Sequence, residues 1–279
     1  MSPSLGKNRI TGAAVLAGIA GQPVAHSLSP VIHNAWLEAD DIDGAYMPFA
    51  PKDAAGFAIL VAAGRAGLVQ GLNVTAPFKE QAFALADEAS AAAQATGSAN
   101  ILVFQDGRVL ADSSDGVGVL YALSEQAPAL NLKGAVVVML GAGGAARASA
   151  GALIEAGASI RILNRSRDRA EALAADLGPA VSVAGEIALA EADLVINALS
   201  VRPDIDLSVL KPTAVVMDMT YKPVVTPFLA AARARGLTTV DGLAMLIGQA
   251  APLFMALFRR PPPSLDLRTL LLAHLGEAA

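Results

Sequence analysis

A chain of 279 residues is long enough for two domains with separate cores. Its 54% hydrophobic and 16% charged residues point to packed α/β layers and exclude a disordered chain. The net charge of −5 without a basic tract recommends no nucleic-acid partner, and the lack of cysteine excludes disulfides, thiolate metal sites and a cysteine nucleophile.

Only His26, His33 and His274 are available as imidazole ligands, and they are scattered, so no metal is expected. His26 and His33 read as structural. Lys7 and Arg9 before the apolar run Ile10–Ala20 superficially resemble a secretory leader, but no clean cleavage pattern follows, and a buried first strand fits better. Leu243–Phe258 is uncharged but too short to span a bilayer, and Gly248, Gln249 and Pro252 interrupt it. No membrane partner is expected, and the location is read as cytoplasmic.

In chain order, strands are expected at Ala14–Ile19, Ala45–Phe49, Leu68–Val74 and Asn100–Phe104. Helices are expected at Val31–Ala39, Ala54–Gly64 and Lys79–Ala93. Gln105–Arg108 reads as a hairpin turn into Val109–Ala111. The segment Asn73–Glu80 puts Lys79 two residues past Pro77 at a strand-to-helix turn. A proline at a helix start gives up an N–H that has no partner there. A lysine in a first helical turn opposes the helix dipole, so it needs a task or a partner unless it is simply a surface cation.

From Asn131 the texture changes. Ala135–Leu140 is a continuous apolar strand of the doubly buried kind, followed by a glycine turn and a helix. Further strands at Ser159–Leu163, Asp193–Ile196, Ala214–Met217 and Leu237–Val240 complete a mononucleotide-binding series. Gly141, Gly143 and Ala146 fit the G-x-G-x-x-[GA] turn, whose N–H groups, with Ala142, Gly144 and Ala145 between, face a pyrophosphate at a helix N-terminus. The second strand ends in Asn164-Arg165-Ser166-Arg167-Asp168-Arg169 rather than in an acid for a ribose hydroxyl. Arg165 and Arg169, with Asn164 and Ser166, favour a 2′-phosphate and therefore NADP. A solvated helix start would have the same composition, and Asp168 weighs against the phosphate.

Read together, these pieces resemble the shikimate dehydrogenase family. The resemblance rests on Gly21–Pro30, Asn73–Glu80, Gly97–Asn100, Asp112–Gly118, Asp193–Ser200, Asp218–Pro223 and Asp241–Gln249, and covers almost the whole chain in order. It implies reversible NADP-linked reduction of 3-dehydroshikimate to shikimate, a step of chorismate and aromatic amino-acid biosynthesis. Lys79 and Asp115 match the family's catalytic pair, although Asp115 alone also fits a helix cap. Ser27 and Ser29 would bind the substrate carboxylate with Tyr221 nearby, and Thr75, Asn100 and Gln249 the ring hydroxyls. Met219 and Gly242 would join the glycine turn in holding the cofactor.

The implied fold is α/β. A substrate-binding domain at 1–114, completed by helices at 242–279, would face a Rossmann-type doubly wound NADP domain at 115–241 across an active-site cleft able to close by a hinge. A monomer or homodimer is expected. Ser113-Ser114 stand where the family has Asn-Thr, Ile101 where it has threonine, and Leu199 in its Asn-Ala-Thr-Ser, followed by Val201-Arg202 where a glycine is expected. The first two bear on ring-substituent selectivity, the third on nicotinamide placement. Pro252 should kink its helix or start a new one. Rival readings are a quinate or aminoshikimate dehydrogenase of the same family, or a non-catalytic NADP and shikimate sensor.

Overall fold

The computed structural model describes residues 10–199 and 201–277. Lys7, Arg9 and Ser200 lie outside the described residues. Two compact units divide the chain: Met1–Ser114 with Ala250–Ala279, and Asp115–Gln249.

The first unit contains β1 (Val15–Ala20), α1 (Ser29–Ala39), β2 (Gly44–Phe49), α2 (Ala54–Arg65), β3 (Gly71–Val74), α3 (Lys79–Ala84), β4 (Glu88–Ala89), α4 (Ala91–Thr96), β5 (Ile101–Gln105) and β6 (Arg108–Asp112). Its sheet runs β2-β1-β3-β5-β6-β4. β1 is parallel to both β2 and β3, whereas β5 runs antiparallel to β3 and β6. β5 and β6 are joined by Asp106 and Gly107, both at positive φ (52° and 76°), the mirror-image turn that suits the twist of a hairpin. Ala20, Leu72, Val74, Phe57 and Phe78 pack into one core, with Phe57 and Phe78 stacked at 4.9 Å.

Two expectations need correction here. β3 begins at Gly71, not Leu68, because the chain is still leaving α2 through a turn at Gly67 and the Leu68 side chain is exposed. The helix expected over Lys79–Ala93 is broken into α3, β4 and α4. Asp87 accepts from the Val109 N–H at 2.7 Å and pairs with Arg65 at 2.6 Å, which draws the chain into the sheet. Ser90 then caps a fresh helix by accepting from the Ala93 N–H.

The second unit contains α5 (Asp115–Gln126), β7 (Val136–Leu140), α6 (Gly144–Glu155), β8 (Ser159–Leu163), α7 (Arg167–Leu177), β9 (Val181–Val183), β10 (Leu194–Asn197), β11 (Val215–Asp218), α8 (Pro227–Ala234) and β12 (Thr238–Val240). Two short 3-10 turns, Glu186–Glu191 and Leu207–Val209, flank β10. The sheet is entirely parallel, in the order β12-β11-β10-β7-β8-β9. Counted from β7, this is the 3-2-1-4-5-6 order of the dinucleotide-binding fold, with its switch point between β7 and β10. Apolar clusters cover both faces, which is why β7 has no polar alternation. β9 has no counterpart among the expected strands: at three residues it is too short to show a period.

α9 (Gly242–Phe258) and α10 (Leu267–Leu275) close the chain. α9 runs through Pro252 as one helix, so that proline does not open a new one. The change of unit falls between Gln249 and Ala250, inside α9, whereas the sequence pattern suggests the start of that helix. Among the described residues, no helix is long and apolar enough to cross a membrane.

Candidate active site

Five of the eight candidate catalytic and substrate residues belong to the first unit: Ser27, Ser29, Thr75, Lys79 and Asn100. They are carried at the C-terminal ends of β1 and β3 and at the entry to β5. After β1, the Gly21 N–H donates to the Phe49 carbonyl at 3.1 Å, and the Gln22 N–H to the Ala76 carbonyl at 3.0 Å. A Cβ on Gly21 would stand 2.3 Å from the Thr75 methyl, so this loop passes Thr75 only because residue 21 has no side chain. The loop then delivers the serines. Ser27 Oγ accepts from the Ser29 N–H at 3.2 Å. The cap position of α1 is Leu28, so Ser29 is the first helical residue and its hydroxyl is not spent on a cap. The fully buried Tyr46 hydroxyl lies beside the Ser29 side chain without closing a hydrogen bond to it. Burial raises the Tyr46 phenol well above its ordinary range, and the Ser29 contact acts against that.

Lys79 opens α3, with Phe78 at the cap and Pro77 in the turn before it rather than inside the first helical turn. A backbone frame holds this turn. The Phe78 N–H donates to the Thr75 carbonyl at 3.1 Å, and the Ala99 N–H donates to the Lys79 carbonyl at 3.0 Å. Asn73 Nδ2 donates to the Asn100 carbonyl at 2.7 Å. Asn100 is itself clamped at its amide. Its Oδ1 accepts from the Ser114 N–H at 2.9 Å, and its Nδ2 donates to Ser114 Oγ at 3.2 Å. The sequence marks Ser114 only as a departure bearing on ring-substituent selectivity, not as a partner of Asn100. The signal was its place directly before Asp115, at a family position where the residue differs. The reciprocal pair settles which way the Asn100 amide faces, which no spacing argument reveals.

Asp115, Tyr221 and Gln249 belong to the second unit, as do all the candidate cofactor residues. Asp115 is the first residue of α5 and is buried. At the end of β7, Gly141 takes φ +112°, and its N–H donates to the Leu163 carbonyl at 2.9 Å. A side chain there would be strained and would meet Leu199. Gly143 caps α6 without any side-chain bond, and open space lies where its Cβ would be. Ala142, Gly144 and Ala145 are only partly covered, while Ala146 is fully buried against the sheet. This turn fits a pyrophosphate: backbone N–H groups at a helix N-terminus, with open space in front of Gly143.

At the end of β8, Asn164 Nδ2 donates to the Ser166 carbonyl at 2.8 Å and closes the turn. Arg165, Ser166 and Arg169 are exposed. Arg167 is engaged with Glu171 at 2.7 Å, whereas neither Arg165 nor Arg169 forms an ion pair among the described residues. Both guanidinium groups are thus available to an anion.

Met219 and Gly242 are brought together. A Cβ on Gly242 would sit 2.3 Å from the Met219 carbonyl oxygen, so only glycine lets α9 start there. Beneath them lies a buried network that sequence reading did not assign. Asp218 Oδ1 accepts from Asn197 Nδ2 (3.1 Å) and the Thr220 N–H (3.0 Å), and Oδ2 accepts from Thr226 Oγ1 (2.7 Å). Asn197 Oδ1 accepts in turn from the Leu199 N–H at 3.2 Å. This ties the ends of β10 and β11 to the loops that follow them. An acid closing the apolar run Val215–Met217 was the available hint, since a buried carboxylate needs partners.

Residues 19–102 match the shikimate dehydrogenase substrate binding domain, and residues 122–214 match the shikimate / quinate 5-dehydrogenase family. A shikimate dehydrogenase (NADP(+)) of Caulobacter vibrioides is 51% identical over 97% of this chain and 99% of its own length. The chain belongs to the shikimate dehydrogenase family. Among solved structures, the shikimate 5-dehydrogenase from Thermus thermophilus in complex with NADP(H) and shikimate superposes with a TM-score of 0.81 at 34% identity. The match covers 89% of this chain and 95% of that one. The quinate dehydrogenase from Corynebacterium glutamicum in complex with NAD reaches a TM-score of 0.83 at 30% identity, over 93% and 99% of the two chains.

Against this shikimate dehydrogenase background the departures acquire positions. Ile101 is buried in β5, paired with Asn73 and Asp112. Ser113 is held through its N–H to Asp112 at 2.7 Å. Leu199 faces the positive-φ glycine at the switch point, and Val201 beyond it is exposed.

Proposed function

We propose that this chain catalyses the reversible NADPH-dependent reduction of 3-dehydroshikimate to shikimate. The observation that carries the reading is the hydrogen-bonded frame around Lys79: Asn73, Ala99 and Asn100 hold its turn, and Asn100 is clamped to the residue before Asp115.

NADPH, when bound, supplies the hydride. Reduction leaves negative charge on the carbonyl oxygen, and the Lys79 ammonium stabilises it and gives it a proton. Asp115 orients the lysine and accepts from a ring hydroxyl. The Ser27 and Ser29 hydroxyls, with Tyr221, donate to the substrate carboxylate. Thr75, Asn100 and Gln249 meet ring hydroxyls, and such groups reject analogues lacking them because a buried donor would be left unpaired. The unit that includes residues 10–114 is the substrate domain, and the unit Asp115–Gln249 is the NADP domain.

The cofactor would be held by Gly141, Ala142, Gly143, Gly144 and Ala145 at the pyrophosphate. Asn164, Arg165, Ser166 and Arg169 would hold the 2′-phosphate, with Met219 and Gly242 at the nicotinamide end. The double change Arg165→Ala with Arg169→Ala is expected to raise KM for NADP by about tenfold or more while leaving KM for NAD within about twofold. Parallel rises for both cofactors would remove the arginines from the 2′-phosphate. The protein is read as a cytoplasmic monomer or homodimer.

A quinate-preferring enzyme is the second reading, favoured by the likeness to a quinate dehydrogenase. Quinate carries an extra hydroxyl on the carboxylate-bearing carbon, and the retained pair Ser27 and Ser29 with Thr75 supports shikimate. The deciding experiment follows nicotinamide absorbance with shikimate or quinate against NADP or NAD. Rapid turnover confined to shikimate with NADP is expected. Preference for quinate or NAD overturns the specificity, and binding of NADP without turnover overturns the enzyme reading in favour of a sensor.

A further inference from the structure

α5 and α9 approach each other through glycine, and one of the close contacts lies at the root of Gln249. A Cβ on Gly118 would stand 2.7 Å from the Met245 carbonyl oxygen, 3.2 Å from Met245 Cγ and 3.1 Å from Gln249 Cβ. The nearest of these is backbone and cannot rotate away. On the opposite helix, a Cβ on Gly248 would stand 2.5 Å from Tyr121 Cβ and 2.7 Å from Tyr121 Cγ. Gly118 and Tyr121 are three apart on α5, and Met245, Gly248 and Gln249 are three and four apart on α9, so each set lies on one helical face. Gly118 is buried and takes no left-handed φ, so its backbone does not demand glycine. Glycine is a poor helix former. Its presence here serves closeness.

The consequence reaches the site. Asp115 opens α5 one turn before Gly118, and Gln249 sits on α9 directly against Gly118. One helix pair thus carries both residues. We propose that Gly118 is a positioning residue for substrate recognition: by admitting the α9 backbone to van der Waals contact, it holds the Gln249 amide where a ring hydroxyl can meet it. This rests on the role given to Gln249 above. A methyl group at residue 118 must push α9 outward by several tenths of an ångström and carry the amide with it. Misplacement on the order of 1 Å costs about a hundredfold in favourable cases, so a smaller shift should cost about tenfold.

The test is a double-mutant cycle read by steady-state kinetics on wild type, Gly118→Ala, Gln249→Ala and the pair. Gly118→Ala is expected to raise KM for shikimate about tenfold and to leave KM for NADP within about twofold. With alanine at 249 the same change is expected to add less than about twofold. An equal increment in both backgrounds, or a parallel rise for NADP, would show that Gly118 acts on the fold alone and overturn the proposal. If Gly118→Ala does not fold, Gly248→Ala parts the same helices through Tyr121. It should give a smaller rise in shikimate KM that again depends on Gln249, and an unchanged or Gln249-independent KM overturns the proposal. Wild type without turnover on shikimate would instead overturn the function proposed above.

Discussion

Replacing Lys79 by methionine is expected to lower kcat by about 10²–10⁴ while the folded protein still binds NADP. Methionine keeps an unbranched side chain and removes the ammonium. What is lost is the charge and the proton that the developing alkoxide needs. The surrounding frame should survive, because it is built from backbone and amide groups: Ala99 N–H to the Lys79 carbonyl, and Asn73 and Ser114 to Asn100. KM for 3-dehydroshikimate should change much less than kcat, since the interaction grows with charge on the oxygen and is weak with the neutral ketone. The check is steady-state kinetics beside a binding isotherm for NADP. A kcat within about tenfold of wild type would take Lys79 out of the proton transfer.

The second large effect concerns His33. It is fully buried, and neither ring nitrogen has a hydrogen-bond partner among the described residues. Its ring stacks on Tyr46 at 4.3 Å, lies 6.0 Å from Phe254 and meets Trp36 edge-on at 5.5 Å. Among the described residues no carboxylate compensates a charge there, and burial lowers its pKa to about 3. The unfolded chain takes up this proton near its ordinary pKa of about 6.5. Between those values the unfolded state holds more protons, so stability falls as pH falls. About 2 kcal/mol should be lost between pH 7 and pH 5 from this residue alone. His33→Phe keeps an aromatic ring in the stack and cannot titrate. The difference in urea-unfolding free energy between wild type and variant should therefore shift by about 2 kcal/mol in favour of the variant over that range. Parallel pH curves for the two proteins would contradict the neutral, unpartnered state of His33.

The two effects differ in how visible they were beforehand. Lys79 stood out because a cation in a first helical turn is locally unfavourable, and that conflict is written in neighbouring residues. His33 did not stand out. A histidine between Ile32 and Asn34 carries no mark of burial, and its partners Tyr46 and Phe254 are remote in sequence. The same contrast separates Gly141 from Gly118. The first belongs to a strand, turn and helix pattern, and its positive φ follows from that turn. The second is one small residue in a helix, and its meaning depends on Met245 and Gln249 more than a hundred positions away.

Local physics sufficed for the longer parallel strands, the glycine turn, the arginine-rich segment after β8 and the Asp106-Gly107 hairpin, because each is set by hydrophobic run length, allowed φ or charge within a few residues. Tertiary structure alone decided the break of Lys79–Ala93 into two helices, where Arg65 and the Val109 N–H claim Asp87. It also decided the clamp of Asn100 by Ser114, the buried Asp218 network and the change of unit within α9. Arg65 for Asp87, Ser114 for Asn100 and Asn197 for Asp218 all lie beyond the reach of a local pattern. Propensity and periodicity report only on neighbours, whereas a hydrogen bond or a steric contact is settled by whatever packing brings alongside.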